Sequence, residues 1–174
     1  LYGVQVSVTN YREATQCVLQ AAKSRSSYAV SALAVHGLME AVADPTFCAQ
    51  VNSIDLVTPD GQPVRWAMNA LHRTELDDRV YGPDLTWHVI SAAASEGVGI
   101  FLFGSQQETC DLFAAKIVER FPEAVISGIQ ADRFREATKE EDARDVEVIN
   151  GSGAGIVLVG RGCPRQERWV ADHR

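Results

Sequence analysis

Five short runs, Tyr28–Ala34, Ile54–Thr58, Val98–Phe103, Ala124–Ile129 and Gly155–Val159, are rich in β-branched residues and apolar along most of their length. A strand that is apolar on both faces must be covered on both faces, which happens when helices pack on either side of a mostly parallel sheet. The segments between the runs supply those helices: Tyr11–Lys23, Pro63–Leu71, Pro83–Glu96, Gln106–Arg120 and Lys139–Asn150 carry helical periodicity. This alternation predicts an α/β, Rossmann-like three-layer domain around a largely parallel sheet, with Val4–Val8 as a shorter edge strand. Start signals agree with the helix positions. Ser105 with Glu108, and Thr138 with Glu141, have capping-box spacing, and Pro63 and Pro83 suit a first helical turn. No repeat or linker divides the chain, so residues 1–174 are read as a single domain.

At 174 residues, 46% of them hydrophobic, the chain is long enough to bury a core. A net charge of −7 argues against a general nucleic-acid binder, although it leaves room for a local basic pocket. Cys17, Cys48, Cys110 and Cys163 are widely spaced and fit reduced thiols of a cytosolic protein. No apolar run approaches the ~18 residues of a membrane span, and the N-terminus lacks a signal-peptide pattern. The first residue is not Met, so a processed, trimmed or partial product is expected.

Ligands of open α/β sheets bind beyond the carboxyl ends of the strands, so the loops there are the place to look for a site. They read Pro59-Asp60-Gly61-Gln62, Gly104-Ser105-Gln106, Gln130-Ala131-Asp132 and Gly160-Arg161-Gly162-Cys163-Pro164-Arg165-Gln166-Glu167. Asp60 suits a turn or cap, and equally a general base at a strand end. Arg79 and Asp84 precede or begin a helix, where Asp84 favours the helix dipole and Arg79 is either a surface residue or a bidentate partner for a diphosphate. Gly104-Ser105 serves as a simple N-cap or as a phosphate contact. Arg165 and Arg168 are either solvated helix charges or, for Arg165, part of an anion site at a helix start; Gln166 has no evident structural duty. Cys163 reads as a small packing residue, because no histidine lies nearby in sequence. The scattered histidines and the lack of Asp-x-Asp give no metal site, and neither GxGxxG, GxxxxGK[ST] nor GxSxG is present.

The ordered landmarks Asn52–Val57 with Pro59-Asp60-Gly61, Arg79–Leu85, Phe101–Gly104, Ile149-Asn150, Ile156–Gly160 and Gly162–Glu167 resemble the WecG/TagA/CpsF glycosyltransferases over roughly residues 28–172. The last landmark is similar to that family's Gly-Ser-Pro-Lys-Gln-Glu. The resemblance implies an inverting transferase that moves a sugar, N-acetylmannosamine-like or glucose-like, from a UDP-sugar to a polyprenyl-diphosphate-linked acceptor. It implies Asp60 as general base and Gln166 as a donor or transition-state contact. Arg79, Asp84, Gly104, Ser105, Gly160, Gly162, Pro164, Arg165 and Glu167 are then substrate-binding, with no cofactor beyond the donor itself. Where relatives carry Thr-x-Asn, this chain has Ala32-Leu33-Ala34, with Ser31 and His36 as substitutes for the missing sugar contact. Relatives continue past the equivalent of Arg174 with an arginine-bearing segment, so peripheral contact with the cytoplasmic face of the inner membrane is expected through such a segment. Neither nucleic acid nor metal is an expected partner, and a homo-oligomer is compatible with the reading. The alternatives are a non-catalytic nucleotide-sugar-binding module or another nucleotide-dependent enzyme on a Rossmann-like sheet.

Overall fold

Every paired strand in the structure, a computed structural model that describes residues 1–174, runs parallel to its neighbour. The strands are β1 (Val30–Leu33), β2 (Leu56–Pro59), β3 (Ile100–Gly104), β4 (Ile126–Gln130) and β5 (Ile156–Gly160). The helices are α1 (Tyr11–Ser24), α2 (Val35–Ala43), α3 (Pro45–Ser53), α4 (Gln62–His72), α5 (Gly82–Ser95), α6 (Gln107–Arg120), α7 (Lys139–Gly151) and α8 (Arg165–Asp172). The α/β architecture expected from the sequence is present, with the strands divided between two sheets. β1 pairs with β2, and β3 lies between β4 and β5.

Side-chain alternation along β3 shows how the layers are held. Ile100 and Leu102 join a core with Ala14, Leu19 and Ala22 of α1, Val89, Ile90 and Ala93 of α5, Ile117 of α6, and Leu56 of β2. This core spans both sheets and ties them together. Phe101 and Phe103 point to the other face, against Ile149 of α7 and, at its margin, Trp169 of α8. The opposite face of β1 and β2 is covered by α2 and α3, where Leu33 and Val57 pack with Leu38, Ala41, Phe47 and Val51. Each fully buried side chain of this kind contributes about 1.5–3 kcal/mol, so both faces of the strands are needed for stability.

Three local expectations are corrected. Val4–Val8 is not a strand: Ser7 N donates to Val57 O (2.8 Å), but Val57 N then donates to the Ser7 hydroxyl (3.2 Å) instead of a carbonyl. The Ser7 side chain thereby ends the ladder after one backbone bond. Residues 35–53 form α2 and α3, absent from the sequence reading; Asp44 accepts from Thr46 N (2.8 Å) and Phe47 N (3.2 Å), and Pro45 opens α3. Ser105 does not cap α6. Its φ of 65° carries the chain out of β3, leaving Gln106 at the N-cap without a side-chain cap bond. The Thr138–Glu141 box does form, with bonds of 3.2 and 2.9 Å.

Gly104 pairs with Gly160 at the ends of β3 and β5, and a Cβ on Gly104 would sit 2.7 Å from the Gly160 carbonyl carbon and oxygen. Its φ of +112° is also one that L-residues avoid. Gly104→Ala is expected to lower stability by about 3 kcal/mol or more, combining the strained backbone with a clash against main chain. Gly153→Ala has a positive φ but open space around it, and should cost about 1 kcal/mol. Urea unfolding of both variants checks this; equal losses would mean that the β3–β5 apposition is not tight.

Candidate functional site

The carboxyl ends of the strands carry two groups of polar residues with different electrostatics. The first stands at the end of β2. Thr58 is fully buried and its hydroxyl donates to Val80 O (3.4 Å), while Val80 N donates to Pro59 O (3.0 Å). These bonds lay residues 78–82 along the strand end and bring Gly82 N to Asp60 Oδ2 at 3.2 Å. Glycine is required for that approach: a Cβ on Gly82 would lie 2.9 Å from the Ala32 Cβ and 3.3 Å from Asp60 Oδ2. Burial pushes the Asp60 carboxyl above the usual aspartate range, against the opposing Gly82 hydrogen bond and the Arg79 charge.

Arg79 lies with its guanidinium carbon 4.4 Å from the centroid of the Tyr81 ring, an arrangement that holds the side chain without an ion pair. Asp84 is exposed in the first turn of α5, on the side of Tyr11, where it complements the helix dipole. His36 is exposed near the start of α2 and stands 4.0 Å from Glu40.

The second group joins the ends of β3, β4 and β5. Asp132, whose side chain is 1% exposed, stands against Arg161 at 3.2 Å and Arg165 at 2.9 Å. Its backbone N–H donates to Ser105 O at 2.9 Å, so this one residue ties three strand-end loops together. Arg161 is itself 8% exposed and packs over the Phe103 ring at 5.2 Å, whereas Arg165 is 35% exposed and reaches the surface. Two guanidiniums around one carboxylate leave a net positive charge. The α6 N-terminus nearby has no side-chain cap, and its unpaired N–H groups add to the positive potential. Gly104 is further fixed by Cys110, whose thiol donates to its carbonyl at 2.6 Å.

Between the two groups lies the start of α8. Gln166 does have a structural duty: its Oε1 accepts from Gly162 N (3.1 Å) and its Nε2 donates to Glu167 (2.9 Å). Glu167 is buried and also accepts from the Ser31 hydroxyl of β1 at 3.3 Å. Pro164 occupies the position before α8. Burial and the Glu167 charge push the Cys163 thiol up to about 12, so it is a packed and unreactive thiol, as expected from the sequence. Arg168 is not a solvated charge; it pairs with Asp44 at 2.8 Å and lies over Phe47, fastening α8 to α3.

The structure thus gathers Asp60, Arg79 and Gly82 at one strand end, and Gly104, Ser105, Gly160 and Arg165 at another, with Gln166 and Glu167 between. The sequence places Arg161 and Arg165 together in the Gly160–Arg165 turn expected to hold a diphosphate, but Asp132 only as a loop residue; an aspartate just past a strand end, with two arginines in a later glycine turn, was the available signal. No His, Cys, Asp and Glu side chains cluster in threes as a metal ion would need. A cleft of about 320 Å³ lies at the opposite, amino ends of β3–β5, but its cations are engaged, Lys23 with Glu96 (2.8 Å) and Arg25 with Gly153 O (3.2 Å).

Burial alone would raise the Asp132 carboxyl, but the Arg165 hydrogen bond and the charges of Arg161 and Arg165 outweigh it and hold the group below the usual range. A depressed folded-state pKa stabilises above the unfolded value, about 3.9, and that stabilisation is lost as pH falls through the folded value. Asp132→Asn is therefore expected to cost about 3 kcal/mol at neutral pH, with the deficit vanishing in acid. Urea melts from neutral pH to pH 2 measure this; a deficit constant with pH would show that the ion pairs contribute nothing.

No helix of the chain is long and apolar enough to cross a membrane. The sequence model of the glycosyl transferase WecG/TagA/CpsF family matches residues 1–174, and so takes in both strand-end groups and the α8 turn between them. The chain therefore belongs to the glycosyl transferase WecG/TagA/CpsF family.

Proposed function

We propose that this protein is an inverting, UDP-sugar-dependent glycosyltransferase of bacterial cell-surface polysaccharide synthesis. It transfers an N-acetylmannosamine-like or glucose-like sugar to a polyprenyl-diphosphate-linked acceptor at the cytoplasmic face of the membrane. The observation that carries this reading is the division of the rim. A half-buried carboxylate, Asp60, stands at one strand end, and a net positive cluster beside an uncapped helix start stands at another.

An inverting displacement needs both features. A base must take the proton of the attacking hydroxyl, and the departing diphosphate must be stabilised without waiting for solvent to reorganise. Asp60 has one oxygen held by Gly82 N–H, and the other makes no protein hydrogen bond, leaving it for the acceptor hydroxyl. Its raised pKa, set by burial, strengthens it as a base. Arg165 reaches the surface with its orientation fixed by Asp132, so it meets a diphosphate without first being ordered. Ser105, Gly160 and Gly162 let phosphate oxygens approach main chain near the α6 start, while Gly104, buried against Gly160, fixes the turn that presents them. Arg79, free of any ion pair, supplies a further guanidinium on the Asp60 side, and Asp84 and Pro164 border the same rim.

Asp60→Asn tests the assignment, because asparagine can still accept from Gly82 N–H but cannot take a proton. UDP release in the presence of a lipid-diphosphate acceptor should fall by about 10²–10⁴-fold, with UDP affinity within about 3-fold of wild type. Stability provides an independent check on sign. A folded pKa raised above the unfolded one costs stability as pH rises through that interval, so Asp60→Asn should be at least as stable as wild type at neutral pH. Parallel loss of UDP binding and stability would instead make Asp60 a structural turn residue. Wild-type UDP binding with no transfer to any acceptor would favour a binding module.

A further inference from the structure

Glu167 is the unusual charge of this chain. It is 3% exposed, enters no ion pair, and its Oε2 is buried without a hydrogen-bond partner. An unpaired buried charge is costly to desolvate, and the neutral donors it meets offset only part of that cost. What the carboxylate does here is therefore not general stabilisation. Its contacts identify its duty: Oε1 receives the Gln166 Nε2 (2.9 Å) on one side and the Ser31 hydroxyl (3.3 Å) on the other, while the Cys163 thiol lies beside the carboxylate without reaching the amide.

Those contacts settle which way the Gln166 carboxamide faces. Gly162 N–H can only donate, so it requires Oε1 of the amide on its side, and this turns Nε2 toward Glu167 Oε1. One N–H of Nε2 then remains, on the first turn of α8, one residue after Arg165. The anchor is rigid on both sides. Ser31 belongs to β1, and α8 is fastened to α3 by Arg168 through Asp44 and Gln50.

We propose that Glu167 is a positioning residue: held by Ser31, it fixes the Gln166 carboxamide so that its remaining N–H is directed, with Arg165, to the diphosphate of the donor. The identity of that ligand rests on the UDP-sugar reading above, while the orientation of the amide does not. Buried as it is, Glu167 acts through Gln166 and has no contact with substrate.

The test uses the full chain and two readouts, the ¹⁵N NMR signals of the Gln166 carboxamide and calorimetric titration with UDP. Glu167→Met keeps the volume and removes both the charge and the acceptor, so it should fold, the relieved desolvation offsetting the Ser31 and Gln166 donors left without a partner. In that variant the Gln166 signals should collapse to those of a freely rotating glutamine, and UDP should bind about 5- to 10-fold more weakly. Glu167→Gln retains an acceptor oxygen and should restore both. Gln166→Ala should weaken UDP by a similar factor, and the double variant Gln166→Ala/Glu167→Met should bind no more weakly than Gln166→Ala alone. Unchanged Gln166 signals in Glu167→Met, or losses that multiply in the double variant, would overturn the proposal. An ordered wild-type carboxamide released by Glu167→Met, in a protein that does not bind UDP, would uphold the positioning role and remove the UDP-sugar reading.

Discussion

The Asp132 carboxylate holds the rim of this domain in shape. It is nearly solvent-free, it draws Arg161 of the loop after β5 and Arg165 at the start of α8 toward the end of β4, and its own N–H secures Ser105 after β3. Desolvating Asp132 and Arg161 is unfavourable unless their charges are compensated, and here two guanidiniums share one carboxylate. The outcome is both mechanical and electrostatic. Three loops are locked relative to one another, and one positive charge is left over at a place where the backbone is glycine and a helix start is uncapped. A site for a leaving diphosphate needs that combination, since its donors must be in place before negative charge develops.

The opposite strand end is organised by backbone instead of charge. Bonds from Thr58 and to Pro59 lay the Val80–Gly82 segment along β2, and Gly82 comes close enough to hold one oxygen of Asp60 because it has no side chain. Partial burial then raises the carboxyl toward the range useful to a base. Two independent devices, a desolvated aspartate and a net positive clasp, thus lie along one edge of the sheets. The apolar core shared by α1, α5 and both sheets keeps them in fixed relation.

Much of this was legible in the sequence because it depends on local rules. β3 and β5 were found because they are apolar throughout, and α7 because Thr138 and Glu141 stand at box spacing. What escaped depends on tertiary context. The α2–α3 pair was hidden because Leu33-Ala34-Val35 continues the apolar run of β1 without a break, although Asp44-Pro45 marked the second helix. Ser105 carries a cap residue's side chain, but the sharp exit from Gly104 sends it elsewhere. Val4–Val8 has a strand's composition, yet Asn52 and Ser7 side chains take the backbone partners that a neighbouring strand would have used. In the site, Asp60, Gln166 and Arg165 could be singled out by type and place. The Asp132 clasp and the Ser31–Glu167 contact could not, because Asp132 lies 29 and 33 residues from its two arginines and Ser31 lies 136 from Glu167, so these partners meet only in the fold.

A rim built for a leaving diphosphate must recognise a nucleoside diphosphate through its phosphates. Calorimetric titration of the chain with UDP, UMP and uridine at a single ionic strength measures this most directly. UDP is predicted to bind most tightly and uridine most weakly, with a step of about 1–2 kcal/mol for the second phosphate. Equal affinity for all three, or no binding of UDP at millimolar concentration, would contradict it.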